Sequence, residues 1–195
     1  MLSFTGSPEV GWAMKKNAGK KKVVLELGGN AGVIVARTAE LEQALKKCLV
    51  GGFAYSGQIC IHAQRIFVHN SLFSSFVQRF TEMVKALKNG NPEDNATDVG
   101  VMIDEENARR VETWVNEAVS AGAKVLCGAY RDKSYYHPTL LTNTNSNMKV
   151  CGEEVFGPVV IVESFDNFSD AVRMINDTRF GLQAGVFTND MHEVD

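Results

Sequence analysis

The chain has 195 residues, 45% of them hydrophobic and 22% charged, with a formal net charge of −3, values of an ordinary globular protein with room for one good core. Its one basic run, Lys20-Lys21-Lys22, reads as a solvated segment before a strand and leaves no electrostatic footprint for nucleic acid. No apolar stretch approaches the ~20 residues that span a bilayer, and the N-terminus lacks a charged-then-apolar export pattern, so a cytoplasmic protein without membrane or nucleic-acid partners is expected.

Val23 to Leu27 and Gly32 to Val35 read as short buried strands that end in glycine or small-residue turns. Thr38 is placed to cap a helix with Leu41, Ala44, Leu45, Cys48 and Leu49 at helical spacing, fading at Gly51-Gly52. Arg65 to His69 is a strand. Ser71 to Leu87 is an amphipathic helix with Leu72, Phe73, Phe76, Val77, Phe80, Val84 and Leu87 on one stripe. A loop rich in turn formers, Asn89 to Asn95, precedes a helix that starts near Asp104 and ends at Gly122. Strands follow at Lys124 to Cys127, Thr139 to Leu141 and Val159 to Phe165. Asn167 then caps a helix carrying Ala171, Val172, Met174 and Ile175, and Ala184 to Phe187 is the last strand. Such alternation predicts an α/β fold: a three-layer α/β/α arrangement whose mostly parallel sheet is covered by helices on both faces.

The four cysteines, Cys48, Cys60, Cys127 and Cys151, form no CxxC pair and have no histidine at zinc spacing, which argues against a metal site and a disulfide framework. Cys48 falls on an apolar helix and Cys127 at a strand end, both as small core residues. Cys60 sits instead among small residues, after Phe53-Ala54-Tyr55-Ser56-Gly57-Gln58-Ile59, where a thiol can face a cleft. Upstream, Leu25-Glu26-Leu27-Gly28-Gly29-Asn30 sets a carboxylate just before two glycines. A charge in an apolar strand is costly unless it faces a polar cavity or is paired, and an ion pair with the upstream lysines is the structural alternative. A thiol and a carboxylate in such turns are what thioester-forming aldehyde oxidation needs. The thiolate attacks a carbonyl, and the carboxylate activates the water that cleaves the acyl intermediate. A third segment is Glu153-Glu154-Val155-Phe156-Gly157-Pro158, which alone is an acidic turn before a Gly-Pro bend. His62 lies two residues from Cys60 and, with His69 and His137, leaves a Cys-His hydrolase open.

Together with Phe4-Thr5-Gly6-Ser7, these segments resemble the aldehyde dehydrogenase superfamily, in the family's order and over essentially the whole chain. The resemblance implies oxidation of a small aldehyde to a carboxylic acid with NAD or NADP. Cys60 would be the nucleophile and Glu26 the base for the deacylating water, a residue for which coenzyme-A-acylating relatives have no use. Gly6 and Ser7 match the start of a helix where the cofactor's pyrophosphate lies, a place that favours phosphate. Leu27 and Gly28 fall among the cofactor-binding positions, and Glu154 and Phe156 match those that hold the nicotinamide ribose and pack near the ring. The resemblance further implies that residues 1–22 are a remnant of the cofactor-binding domain and 23–195 the catalytic domain, truncated at its C-terminus. The whole enzyme is then expected to be a homo-oligomer, dimer or tetramer, and the isolated chain to bind NAD weakly without steady-state turnover. Ile59 beside Cys60 supplies no cation, which points to an uncharged aldehyde. Two rival readings stand beside this one, a non-catalytic domain that keeps the fold and a Cys-dependent hydrolase.

Overall fold

The computed structural model describes residues 1–194. Strand β1 (Leu2–Thr5), helix α1 (Pro8–Asn17) and strand β2 (Val23–Glu26) open the chain. They are followed by β3 (Gly32–Val35), α2 (Leu41–Phe53), a tight turn at Ala54–Gly57, β4 (Arg65–His69) and α3 (Asn70–Lys85). Next come α4 (Glu105–Ser120), β5 (Lys124–Cys127), a small hairpin of β6 (Arg131–Asp132) and β7 (Tyr135–Tyr136), and β8 (Thr139–Thr142). The short α5 (Lys149–Gly152), then β9 (Val159–Phe165), α6 (Phe168–Asn176) and β10 (Ala184–Phe187), complete the fold.

Six strands make one sheet in the order β10-β3-β4-β9-β8-β5, parallel at every pairing except β5 against β8. Alternate side chains of a strand point to opposite faces, and here both faces are covered. Val33, Val35, Ile66, Val68, Val160 and Val162 join α2 and α3 in one cluster. Ile34, Phe67 and Phe165 meet α6 on the other face, where Val159, Ile161 and Leu141 meet α4 and α5. Burial on both sides explains why these strands read as continuous apolar runs. Phe53, Phe76 and Phe80 lock α2 to α3, with ring centroids 6.4 and 5.1 Å apart along the row. Each fully buried aromatic contributes about 1.5–3 kcal/mol through surface removed from water. No helix among the described residues is long and apolar enough to cross a membrane.

Four sequence expectations are corrected here. The strand at Val23 is not buried: β2 pairs only with β1, in a separate two-stranded parallel sheet, and Val24 is 47% exposed. Thr38 does not cap α2, whose N-cap is Glu40 without a side-chain bond; the Thr38 hydroxyl instead accepts the N–H of Asn189 at 2.9 Å and meets Thr188 at 3.0 Å. Nor does α2 fade at Gly51-Gly52, because it runs on to Phe53. A Cβ at Gly52 would come within 2.7 Å of Val160, so that glycine serves helix–sheet approach rather than termination. Finally, α3 begins at Asn70 and ends at Lys85, one residue earlier and two residues earlier than the apolar stripe suggests.

Candidate active site

Three loops meet at the end of the large sheet where β3, β4 and β9 begin, and three close approaches define how. An added Cβ on Gly29 would lie 2.1 Å from the carbonyl oxygen of Cys60, so the Gly28-Gly29 segment runs directly over the Cys60 turn. A Cβ on Gly28 would lie 2.3 Å from Glu154 Oε2, and the Gly29 N–H donates to Glu154 Oε1 at 2.9 Å. Gly57, with φ of 66°, faces the Gly157 carbonyl, which an added Cβ would meet at 2.2 Å. The glycines flanking Glu26, Cys60 and Glu154 are therefore where these three segments touch.

Cys60 is half-buried in a turn closed by the His62 N–H on the Ile59 carbonyl at 3.0 Å. The approach to that turn is strained: Tyr55, Ser56 and Gly57 all lie in the left-handed region, at φ of 53°, 57° and 66°. For residues with a Cβ this conformation costs about 1–2 kcal/mol each, so surrounding bonds must hold it. Ser56 Oγ donates to the Gly100 carbonyl at 3.1 Å and accepts the Gly100 N–H at 3.0 Å. Gln58 accepts the Ile103 N–H at 2.8 Å and donates to the Val101 carbonyl at 3.3 Å. Ile59 and Ile61 flank the thiol and line an open cavity of about 360 Å³ with Tyr55, Ala54, Phe187 and Lys47.

Glu26 ends β2 on its exposed face, its backbone carbonyl accepting the Gly6 N–H at 3.0 Å. Its carboxylate makes no hydrogen bond or ion pair with another described residue, so the structural alternative, a bridge to the upstream lysines, is absent among the described residues, and the side chain stands exposed. Leu27 packs beneath α1, where a Cβ on Gly11 would meet its Cδ2 at 2.4 Å. Ser7 is the N-cap of α1, its hydroxyl accepting the Val10 N–H at 3.4 Å, with Gly6 just before it. Pro8 at the first helical position has no N–H to offer, the N–H groups of Val10 and Gly11 already go to Ser7, and Glu9 stands in the same first turn.

Glu154 is half-buried, and burial pushes its carboxyl above the ordinary carboxylate range, against the opposing pull of the Gly29 N–H and Arg110. Phe156 is 37% exposed and takes a left-handed φ of 47°. The other thiols sit differently. Burial raises Cys48 to about 12 and Cys151 to about 11, and also raises Cys127.

His62 does not pair with Cys60. Its Nε2 bonds the Gly52 carbonyl at 2.9 Å, its Nδ1 has no partner among the described residues, and burial lowers it to about 4, so it is neutral. His69 caps α3 through the Ser71 N–H at 3.2 Å, and His137 stacks on Tyr130 at 3.7 Å. Among the described residues, no group of three His, Cys, Asp or Glu is placed to hold a metal.

Sequence reasoning missed the buried polar residues beneath these loops. Asn30 donates to the carbonyls of Cys151 at 2.8 Å and Glu153 at 3.0 Å. Arg65, 3% exposed, donates to the Asn30 carbonyl at 3.0 Å and to the Met174 and Ile175 carbonyls at the end of α6. Gln64 bonds the Val150–Val155 stretch. The available signal was an amide and a guanidinium entering an apolar strand, which demands buried partners.

The model of the aldehyde dehydrogenase family matches residues 1–195. A 3-sulfolactaldehyde dehydrogenase of Priestia aryabhattai is 47% identical over 191 residues, covering 98% of this chain and 40% of that protein. The crystal structure of aldehyde dehydrogenase 21 from Physcomitrella patens, in complex with its product succinate, superposes with a TM-score of 0.96 at 43% identity, over 98% of this chain and 40% of that one. A glyceraldehyde-3-phosphate dehydrogenase of Methanocaldococcus jannaschii, solved with NADP, gives a TM-score of 0.96 at 39% identity, over 100% of this chain and 42% of that one. The chain thus spans about 40% of the length of the curated relatives it matches. With the fold, the order of the three loops and these matches in agreement, the chain belongs to the aldehyde dehydrogenase family.

Proposed function

We propose that this chain supplies the thiol and the hydrolytic carboxylate of an NAD- or NADP-dependent oxidation of a small aldehyde to a carboxylic acid. The observation that carries the reading is the convergence of the Glu26, Cys60 and Glu154 loops through glycines with no room for a side chain. Residues 1–22 are assigned to the cofactor-binding side and 23–195 to the catalytic side, joined through the pairing of β2 with β1.

The Cys60 thiolate adds to the aldehyde carbon, so a C–S bond forms and the carbonyl oxygen takes the electron pair. The nicotinamide of NAD or NADP, when bound, supplies the hydride acceptor that turns this adduct into a thioester. Glu26 takes a proton from water, which attacks the acyl carbon; the C–S bond breaks and Cys60 leaves as thiolate. Gly29 crosses the backbone of Cys60, and the three residues from Glu26 to Gly29 span at most about 10 Å, which keeps the Glu26 backbone in the neighbourhood of that turn.

The residues present fit a nicotinamide nucleotide. A half-buried carboxylate, Glu154, packs directly against Gly28, where any Cβ would strike it, and with Oε1 on the Gly29 N–H its Oε2 is the atom that would accept from ribose hydroxyls. Phe156 offers an exposed ring beside it, and Gly6 and Ser7, at the start of α1, are the positions proposed for the phosphate. For the aldehyde, Ile59 and Ile61 are the apolar neighbours of the thiol in the chain; the cavity they share with Lys47 is lined by neither Cys60 nor Glu26. An uncharged aldehyde fits the flanking pair; the sulfonate in the name of the Priestia relative's substrate would call on a cation outside it. A homo-oligomeric whole enzyme working in the cytoplasm belongs to the same proposal.

The test is Glu26→Gln in the whole enzyme. A pre-steady-state NADH burst is expected to survive while steady-state turnover collapses. Loss of the burst along with turnover would remove Glu26 from the deacylation step.

A further inference from the structure

Gln64 begins the turn into β4 four residues beyond Cys60, is 1% exposed, and uses its whole amide. Its Nε2 donates to the carbonyls of Val150 and Glu153, both at 2.8 Å, and its Oε1 accepts the Val155 N–H at 2.9 Å. The two bonds to Glu153 and Val155 grip the backbone on either side of Glu154. Residues 154–156 belong to no helix or strand, so their backbone groups depend on side chains for partners. Val155 shows this fully: its N–H goes to Gln64 and its carbonyl to Arg110 at 2.8 Å.

The same carbonyl of Glu153 also accepts from Asn30 at 3.0 Å, one residue past the Gly29 N–H that Glu154 accepts at 2.9 Å. One amide thus ties the strand that follows Cys60 to the turn that carries Glu154, and through Glu154 to the Gly28-Gly29 segment. Simple packing would call for a leucine or methionine at this depth. A buried amide with all its groups satisfied fixes direction as well as position.

We propose that Gln64 is a positioning residue, holding the 153–155 turn so that the Glu154 carboxylate meets the Gly29 N–H and stands in register with Cys60. That Glu154 then serves the nicotinamide ribose rests on the proposed function; the positioning itself does not.

The experiment follows the Gly29 amide resonance of this chain by NMR as pH is varied. In the unaltered protein the resonance is expected to report the titration of Glu154, its hydrogen-bond acceptor. In Gln64→Met, which keeps volume and removes the amide, that step is expected to be lost. The Thr144 N–H, which donates to the half-buried carboxylate of Glu163 at 2.6 Å, should keep its own pH-dependent step and show that the fold persists. A Gly29 step of unchanged size in Gln64→Met overturns the proposal. Should the variant not fold, native-state hydrogen exchange on the unaltered chain decides instead. Opening of the Gln64 Nε2 protons, Val155 and Gly29 in one event, with one denaturant dependence, supports the proposal. Independent opening of Gly29 overturns it. No nucleotide enters either measurement, so failure here removes Gln64's role alone, whereas an unaltered whole enzyme that gave no NADH burst would remove the dehydrogenase reading.

Discussion

The backbone N–H of Gly29 donates to the carboxylate of Glu154 at 2.9 Å, joining segments 125 residues apart at the point where Gly29 also crosses the Cys60 carbonyl. One residue without a side chain therefore sets the spacing between the thiol's turn and the carboxylate proposed for the cofactor.

Replacing that residue should be costly. In Gly29→Ala the new methyl would stand 2.1 Å from a backbone oxygen, which cannot swing aside as a side chain could. Forced overpacking of this kind costs about 1–3 kcal/mol, or several degrees of Tm for a chain of this size. Gly181→Ala, with nothing within 4 Å, serves as the neutral comparison. Thermal unfolding of the two variants checks this, and equal Tm values would mean that the loop crossing is looser than described.

The thiols should label in a definite order. Cys60 is expected to react first with an iodoacetamide-type probe, since burial holds Cys48 at about 12 and Cys151 at about 11 and raises Cys127. The thiolate is the reacting form. Peptide mapping after brief labelling reads the order, and faster labelling at Cys48 or Cys127 would remove Cys60 from the nucleophile's role.

Much of this arrangement was legible in the sequence, and what escaped did so for physical reasons. The strands of the large sheet read correctly because double-sided burial writes itself as apolar runs such as Val159–Phe165. The start of α4 near Asp104 read correctly because what fixes it is local: the Asp104 carboxylate accepts the Asn107 N–H at 2.7 Å. Val23–Glu26 was misread because its composition is that of a buried strand while its one neighbour, β1, leaves alternate residues in solvent. Thr38 was misread because its hydroxyl is claimed by residues 150 positions away. In the site, Cys60, Glu26, Gly28 and Glu154 stood out by motif. Gln64, Asn30 and Arg65 did not, since their partners are carbonyls fixed only by the tertiary fold.

Nicotinamide nucleotide binding should be weak and should rise with pH. The groups proposed to hold it are one helix end at Ser7 and one carboxylate at Glu154, and no Gly-rich strand-to-helix turn for an adenosine half occurs in the chain. A dissociation constant no better than roughly millimolar is expected, on the order of 4 kcal/mol. The ionised Glu154 is the form that accepts from hydroxyls. Burial raises its pKa, so affinity should climb as pH passes upward through a value above the ordinary 4.5. The same shift works against stability: the neutral acid is favoured in the fold, and its contribution is present at low pH and lost as pH rises through that raised value. Calorimetry at several pH values, with Glu154→Gln as the flat comparison, checks both magnitude and direction. Micromolar binding, or affinity that falls over this range, would contradict the placement.

The most direct test of Cys60 and Glu26 as a nucleophile and deacylation pair is acylation by an activated ester, followed by mass spectrometry with peptide mapping. One acyl group is expected on Cys60, turning over in the unaltered chain and accumulating in Glu26→Gln. Acylation at another residue, or an acyl-Cys60 that clears equally fast in both proteins, would contradict the account.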